Sequence, residues 1–336
     1  MPVATHIVAE DDQDIRLDRW FRRHFPGLPQ SALQKLCRTG QVRLDGARVQ
    51  PASRIAAGQT IRVPSLPERP PETRQSPPAN PADIARAKAL ILYQDQDLLV
   101  LNKPFGLPSQ GGPGIAQHLD GWLTHLRFDR PDKPRLVHRL DRETSGVIVV
   151  ARSANIAASL AAAFRSRDVE KTYWALVAGR PVPVEGRIDL ALVRHGNARG
   201  AHVFAATDDD TETAHAITDY RTLDHAGRRL AWLELKPLTG RTHQLRVHCA
   251  SLDAPILGDV KYGSLRNTDD RGVRNTAVVR GEGLAEGLHL HARRIDLPHP
   301  RGGRLVVEAP LPAHMRASFA ALGFSEPATA PPRRAP

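Results

Sequence analysis

The nine residues "HRLDRETSG" at 138–146 crowd His138, Arg139, Asp141, Arg142 and Glu143 against the apolar run Val147–Ala151. Charges beside a buried segment are costly unless they are paired or put to use. In extended chain Arg139 and Asp141 share one face, and His138 and Leu140 the other. A carboxylate held there can act as a nucleophile or a general base. It can equally be half of a structural ion pair, which is the commoner fate of such a pattern, and a lone His138 is more often packed than catalytic. A second cluster, "GRTHQLRVH" at 240–248, reads as a turn at Gly240 and Thr242 into a helix with the apolar stripe Leu245, Cys249 and Leu252. Arg246 lies beside that stripe, where it can reach inward and keep a buried carboxylate ionised; the plainer reading is a helix start with solvated basic residues. In "KTYWALV" at 171–177, Thr172, Trp174 and Leu176 alternate with Lys171, Tyr173 and Ala175. A strand tyrosine is usually core, but it can also stack on an unstacked base. His289 and His291 lack a third ligand at metal spacing, and "QGGPG" at 110–114 lacks the Lys-Ser/Thr of a phosphate loop.

The elements that must position these groups are mostly strands. Runs at 98–102, 146–151, 172–178, 217–223, 230–235 and 304–308 have strand character, with helices expected at 155–165 and 242–252. They do not alternate as regular strand–helix–strand units, so the spacing predicts an α+β fold around a mixed, mainly antiparallel sheet. The acidic run Asp208–Asp210 reads as a hairpin tip.

The chain divides at a stretch with seven prolines between Pro64 and Pro81 and almost nothing apolar. The expected organisation is a small unit over 14–63, a linker over 64–83, a body over 84–313 and a disordered tail over 325–336. In the small unit Leu17, Trp20, Phe21 and Phe25, then Leu33, Leu36 and Cys37, follow helical spacing. Gly40 stops the second helix, Asp45-Gly46 turns a hairpin, and a short strand follows at 61–63. Between Arg16 and Arg62 ten Lys or Arg face two Asp, an excess of eight positive charges out of the chain's net eleven. Concentrated on one small unit behind a linker, that charge points to nucleic acid.

The whole chain of 336 residues is 41% hydrophobic and 25% charged, which excludes wholesale disorder. Cys37 and Cys249 are the only cysteines and form neither a disulfide framework nor a metal motif, which suits a reducing compartment. No signal pattern and no membrane-spanning run occurs, so the expectation is a cytoplasmic protein with no membrane partner.

Two resemblances add to this reading. Ser31, Leu36, Gly40, Val42, Asp45 and Gly46 match the pattern of the S4 RNA-binding module, which implies contact with structured RNA through Arg16, Arg19, Arg22, Arg23, Lys35, Arg38 and Arg43. "NKPFGL" (102–107), "HRLDRETSG", "KTYWALV", "GRTHQLRVH" and "LHLHARRIDLPHP" (288–300) resemble, in order and spacing, the RluA-type RNA pseudouridine synthases over about residues 90–310. "GGPG" after the lysine motif resembles the RluC-like subgroup. The resemblance implies that Asp141 is the essential catalytic residue, that Arg246 pairs with it, that Tyr173 stacks on the target uracil and that Arg139 helps displace the flipped nucleotide. Lys103, Arg241 and His243 are then expected to contact RNA. The substrate implied is large-subunit ribosomal RNA, acted on by a monomer. Isomerising uridine involves no redox change or group transfer, so neither cofactor nor metal is expected. The competing reading is a non-catalytic S4-type ribosome assembly factor, which would not need Asp141, Tyr173 and Arg246 together; a His-dependent metalloenzyme is the third.

Overall fold

The computed structural model describes residues 3–66, 81–112, 114–197, 200–207, 210, 213–263 and 283–335. The chain forms two compact units, Met1–Pro78 and Ala79–Pro336.

In the first unit, β1 (Val3–Ile7), α1 (Leu17–His24), α2 (Gln30–Arg38), β2 (Arg43–Leu44), β3 (Ala47–Arg48) and β4 (Thr60–Pro64) follow in order. The sheet runs β1-β4-β2-β3. The helical stripes meet as expected: Leu17, Trp20, Phe21, Leu33 and Cys37 are buried together with Val42, Ile55, Ile61 and Val63. Gly40 takes φ +70° after α2, and Asp45 and Gly46 are both at positive φ, the conformation a two-residue hairpin turn demands. The expected start at residue 14 is too late. β1 pairs along β4 from Val3↔Pro64 to Ile7↔Thr60, a partnership too distant in sequence for local pattern to reveal.

The second unit holds α3 (Pro81–Ala89), β5 (Ile91–Gln94), β6 (Leu98–Lys103), α4 (Leu119–Trp122), β7 (Arg135–Leu136), β8 (Ser145–Ala151), α5 (Ala154–Ser166), β9 (Glu170–Ala178), β10 (Glu185–Asn197), β11 (Gly200–Ala205), β12 (Thr213–Ala226), β13 (Leu230–Pro237), α6 (Gln244–Ser251), β14 (Leu290–Pro298), β15 (Arg304–Glu308), α7 (Ala313–Leu322) and β16 (Arg333–Ala335). The strands form one sheet with the path β11-β10-β12-β13-β9-β14-β8-β6-β5, while β15 and β7 pair with β14 and β8. Pairing is antiparallel except between β14 and β8. β6 and β8 are buried on both faces. Leu98, Val100, Val147 and Val149 pack under α5, and Leu99, Leu101, Ile148 and Val150 pack toward α3 and α4. Two-sided burial is why these strands read as unbroken apolar runs rather than alternating ones.

Several expected boundaries move. Most of the proline-rich linker, 67–80, lies outside the described residues, but 81–83 belong to α3. The body does not end at 313, because α7 follows and buries Met315 and Phe319. The tail expected to be disordered is docked. β16 pairs with β15, and the buried Arg293 donates to Thr329 Oγ1 at 2.8 Å and to the Ala309 carbonyl at 2.6 Å. β11 and β12 both pair with β10, and the acidic run expected as a hairpin tip falls largely outside the described residues, which include neither Asp208 nor Asp209.

Candidate active site

Asp141 sits in the loop between β7 and β8, not on a strand as the extended reading assumed. The loop is stitched to the turn that follows β6. Ser109 Oγ donates to the Leu140 carbonyl at 2.6 Å and accepts from the Leu140 N–H at 3.1 Å. The Gly106 N–H reaches the Arg142 carbonyl at 3.0 Å. Lys103 Nζ lies beneath and donates to the carbonyls of Pro104, Leu107 and Arg142 at 3.0, 2.8 and 3.2 Å. Lys103 is therefore not an RNA contact. It is wholly buried, and desolvation lowers its pKa to about 7 despite the nearby Asp141 charge. The "NKPFGL" motif thus holds the "HRLDRETSG" motif in place, and the Asp141 side chain is left 35% exposed.

The flanks of that loop are fixed by β8. His138 accepts the Val149 N–H on Nε2 at 2.9 Å and packs on Phe164, and burial, helped by Lys171, holds its pKa down to about 3. It is the packed histidine of the plainer reading. Gly146 has φ +107°, and a Cβ there would lie 2.2 Å from the Ala292 carbonyl oxygen, so the parallel approach of β14 needs glycine.

α6 brings the second cluster. All seven residues from Gln244 to Ala250 are buried, more than the single expected stripe. Gln244 anchors the turn before the helix: its Oε1 accepts from Thr239 Oγ1 at 2.7 Å and the Arg241 N–H at 3.0 Å, and its Nε2 donates to Thr218 Oγ1 at 2.9 Å. Arg246 does not pair directly with Asp141. Its guanidinium is bidentate to Asp259, at 2.8 and 2.6 Å, because that buried carboxylate is itself pinned by the Lys261 and Tyr262 N–H groups. Burial is the largest single influence and opposes the Arg246 charge, but the hydrogen bonds and charge of Asp259, with the charges of Asp141 and Glu143, together more than offset it. Glu143 lies 4.0 Å from the same guanidinium.

His243 caps α6 with a left-handed φ of 54°. Its Nδ1 is 2.7 Å from the Tyr262 hydroxyl and its Nε2 is 3.9 Å from Asp141 Oδ2. This histidine, expected on RNA, faces the aspartate. Tyr173, on β9 between Leu235 of β13 and Ala292 of β14, packs into the two core clusters that meet there. Burial first, and then the Asp141 charge, raise the pKa of its phenol. Arg139 and Arg241 are exposed, the latter donating to the His215 carbonyl at 3.1 Å. In the first unit Arg19, Arg22, Lys35 and Arg38 are exposed, Arg16 and Arg23 pair with Asp18 and Asp12, and Arg43 caps the Gly40 and Gly46 carbonyls.

His289 and His291 make no metal pair. His289 bonds Ser318 and the Gly287 carbonyl, His291 bonds Ser145 and the Ala309 carbonyl, and burial holds their pKa values near 4 and 3. Among the described residues the one group with metal-ligand proximity is Asp95, Asp97 and His299, where His299 already bonds Asp95 at 2.7 Å.

Residues 97–251 match the model of the RNA pseudouridylate synthase family. The mitochondrial RNA pseudouridine synthase 4 of Arabidopsis thaliana is 34% identical, covering 90% of this chain and 78% of that protein. The chain belongs to the RNA pseudouridine synthases. The ribosomal large subunit pseudouridine synthase C of Rickettsia typhi is 35% identical over 88% of this pseudouridine synthase and 94% of its own length. The solved human RNA pseudouridylate synthase domain containing 4 superposes with a TM-score of 0.60 at 32% identity, covering 74% of this chain and 99% of that one. Within this pseudouridine synthase, Asp259 and Tyr262 are site residues that motif reasoning missed. The available signal was "LGDVKYG" at 257–263, an acid set in an otherwise apolar approach.

Proposed function

We propose that this enzyme converts particular uridines of large-subunit ribosomal RNA to pseudouridine, with Asp141 as the catalytic carboxylate. The observation that carries the assignment is the setting of Asp141. It is a half-exposed carboxylate on a loop clamped by Lys103 and Ser109, with Tyr173, His243 and Arg246 around it. Isomerisation must break the bond from N1 to the sugar, turn the uracil and rejoin it through C5. One fixed carboxylate can act as nucleophile or base in the first of these steps. The target base has to leave its stack, which costs a few kcal/mol. A Tyr173 ring presented from a rigid strand can offset that cost by stacking, and the exposed Arg139 can take the vacated place in the RNA. Arg246, locked by Asp259, keeps positive potential beside Asp141 without neutralising it by direct contact.

The first unit acts on this reading as an S4-type module. Its exposed Arg19, Arg22, Lys35 and Arg38 would meet phosphates, with Arg16, Arg23 and Arg43 adding to the positive charge of the unit. Arg241 would serve the RNA strand next to the catalytic loop. Asp141, Tyr173 and Arg246 come from a single chain, so a monomer suffices, and the cytoplasm is the proposed site of action. Relatives named for the ribosomal large subunit support the choice of substrate. The experiment is to incubate the protein with unmodified large-subunit RNA and map pseudouridines by chemical derivatisation. New signals at defined uridines with wild type, and none with Asp141→Asn, are the expected result; uniform background with both proteins would sink the proposal.

A further inference from the structure

Pseudouridine formation needs a proton removed from C5 of the rearranged uracil, a step separate from the bond cleavage assigned to Asp141. Once C5 has bonded to the sugar carbon, C5 still carries its hydrogen. Its C–H electron pair must become the C5=C6 double bond, the N1=C6 pair must move onto N1, and N1 must take up a proton. Some group beside the ring has to accept the C5 proton.

Few groups around Asp141 are able to. The Tyr173 phenol is held protonated by burial and by the Asp141 charge. Lys103 is sealed below the loop with its ammonium on three carbonyls. Arg246 does not give up its proton in proteins. His243 differs in geometry. Its Nδ1 is tied to the Tyr262 hydroxyl at 2.7 Å, and its Nε2 points at the same space as Asp141 Oδ2, 3.9 Å away. In the tautomer whose Nδ1–H donates to the Tyr262 hydroxyl, Nε2 keeps its lone pair. Two acceptors facing each other would stand at about this separation, beyond hydrogen-bond distance. The ring is further fixed by its place at the head of α6 and by edge-on contact with Tyr262, centroids 5.5 Å apart.

We propose that His243 Nε2 accepts the C5 proton of the rearranged uracil, so that His243 is a second catalytic residue opposite Asp141 and not an RNA contact. The imidazolium then releases its proton to water, and N1 takes one from water. The groups facing His243 are Asp141 and Asp259, which favour its charged form, and Arg246 and Lys261, which oppose it; burial is the largest influence and leaves the ring with a lowered pKa. A neutral imidazole at working pH is the form that can accept a proton. The proposal rests on the assignment of Asp141 and adds the step that follows it.

The test uses His243→Asn in the full-length enzyme. Asparagine tolerates positive φ and can keep a hydrogen bond to Tyr262, so the variant removes little beyond Nε2. Single-turnover rates are compared on RNA carrying uridine, 5-deuterated uridine or 5-fluorouridine at the target; 5-fluorouridine has no C5 proton to lose. On uridine the variant should be slower by about 100-fold or more, the ordinary worth of a general base. It should also show a primary isotope effect at C5 that wild type lacks. On 5-fluorouridine it should form the new carbon–carbon bond within about threefold of wild type. Equal slowing on both substrates, or no slowing on either, would overturn the proposal, as would the same signature in Lys261→Met with His243→Asn unaffected. Asp141→Asn separates the two ideas: it should be inactive on all three RNAs, and turnover there would instead bring down the reading of the site.

Discussion

Three carboxylates, Asp259, Asp141 and Glu143, draw on Arg246, and the most deeply buried one holds it. A bidentate Arg–carboxylate pair fills the planar fork, and Asp259 is additionally fixed by two backbone N–H groups, so Arg246 reaches Asp141 only through its field. Removing one member of such a buried pair leaves the other charged and unpaired. Asp259→Asn should therefore destabilise the protein by about 3–5 kcal/mol in denaturant titration. It should also slow turnover, because Arg246 is freed to collapse onto Asp141 or Glu143. Asp141→Ala should lose isomerisation while RNA affinity stays within a few-fold, checked by filter binding beside pseudouridine mapping, since the proposed role of this carboxylate is on a bond and not on phosphates. Lys103 carries a pH signature. Its folded pKa of about 7 lies below the usual 10.5 of lysine, so between those values the unfolded chain binds more protons than the folded one. Stability contributed by this residue must then rise with pH across that window, the desolvation cost being fully present below about pH 7. Thermal melts from pH 6.5 to 9.5 should show wild type gaining on Lys103→Met as pH rises; a constant gap would contradict this.

Between elements, the site depends on how closely β14 and β8 can run side by side. Their parallel pairing at His291↔Ser145 and Ala292↔Gly146 sets where the Asp141 loop leaves β8. Gly146→Ala would drive a methyl group into the Ala292 carbonyl on a backbone that side chains avoid. The expected cost is about 2–4 kcal/mol, read from urea unfolding, with a fall in turnover because the loop shifts with the strand. α6 works differently. It is buried all round, so its position is fixed by Gln244 and by His248, which bonds Thr218 Oγ1 at 2.9 Å, and not by one apolar stripe.

At the scale of the molecule, the basic residues gathered in the first unit contrast with a second unit that carries the proposed catalytic residues Asp141, Tyr173 and His243. Removing residues 1–78 should leave the chemical step on a saturating substrate unchanged while weakening RNA binding. Every phosphate that is no longer neutralised lowers the slope of log affinity against log salt by roughly 0.7–0.9, so about three such phosphates would lower it by about two. Arg19→Ala/Arg22→Ala/Arg38→Ala in the intact chain should reproduce most of that change. A salt titration of binding measures both, and an unchanged slope would mean this surface is only solvated. Turnover should persist in EDTA once RNA folding is controlled for, since the isomerisation neither changes oxidation state nor transfers a group between molecules.

Local sequence determined a good deal of this protein. The helices and hairpin of the first unit follow from side-chain periodicity and from Gly40 and Asp45-Gly46, whose backbone demands are settled within a few residues. The core strands β6, β8, β9 and β13 follow from apolar runs, and the motif residues around Asp141 from their unusual types beside those runs. What sequence left open depends on partners remote along the chain. β1 needs β4, the tail strand β16 needs β15, and Arg246 chooses Asp259 over Asp141 only once both carboxylates are in place. Lys103 looks like a solvated base in its motif and becomes a buried clamp because Leu107 and Arg142 fold over it. A residue's type states what it can do; which of those things it does is decided by the neighbours that tertiary packing supplies and by how far they shut out water.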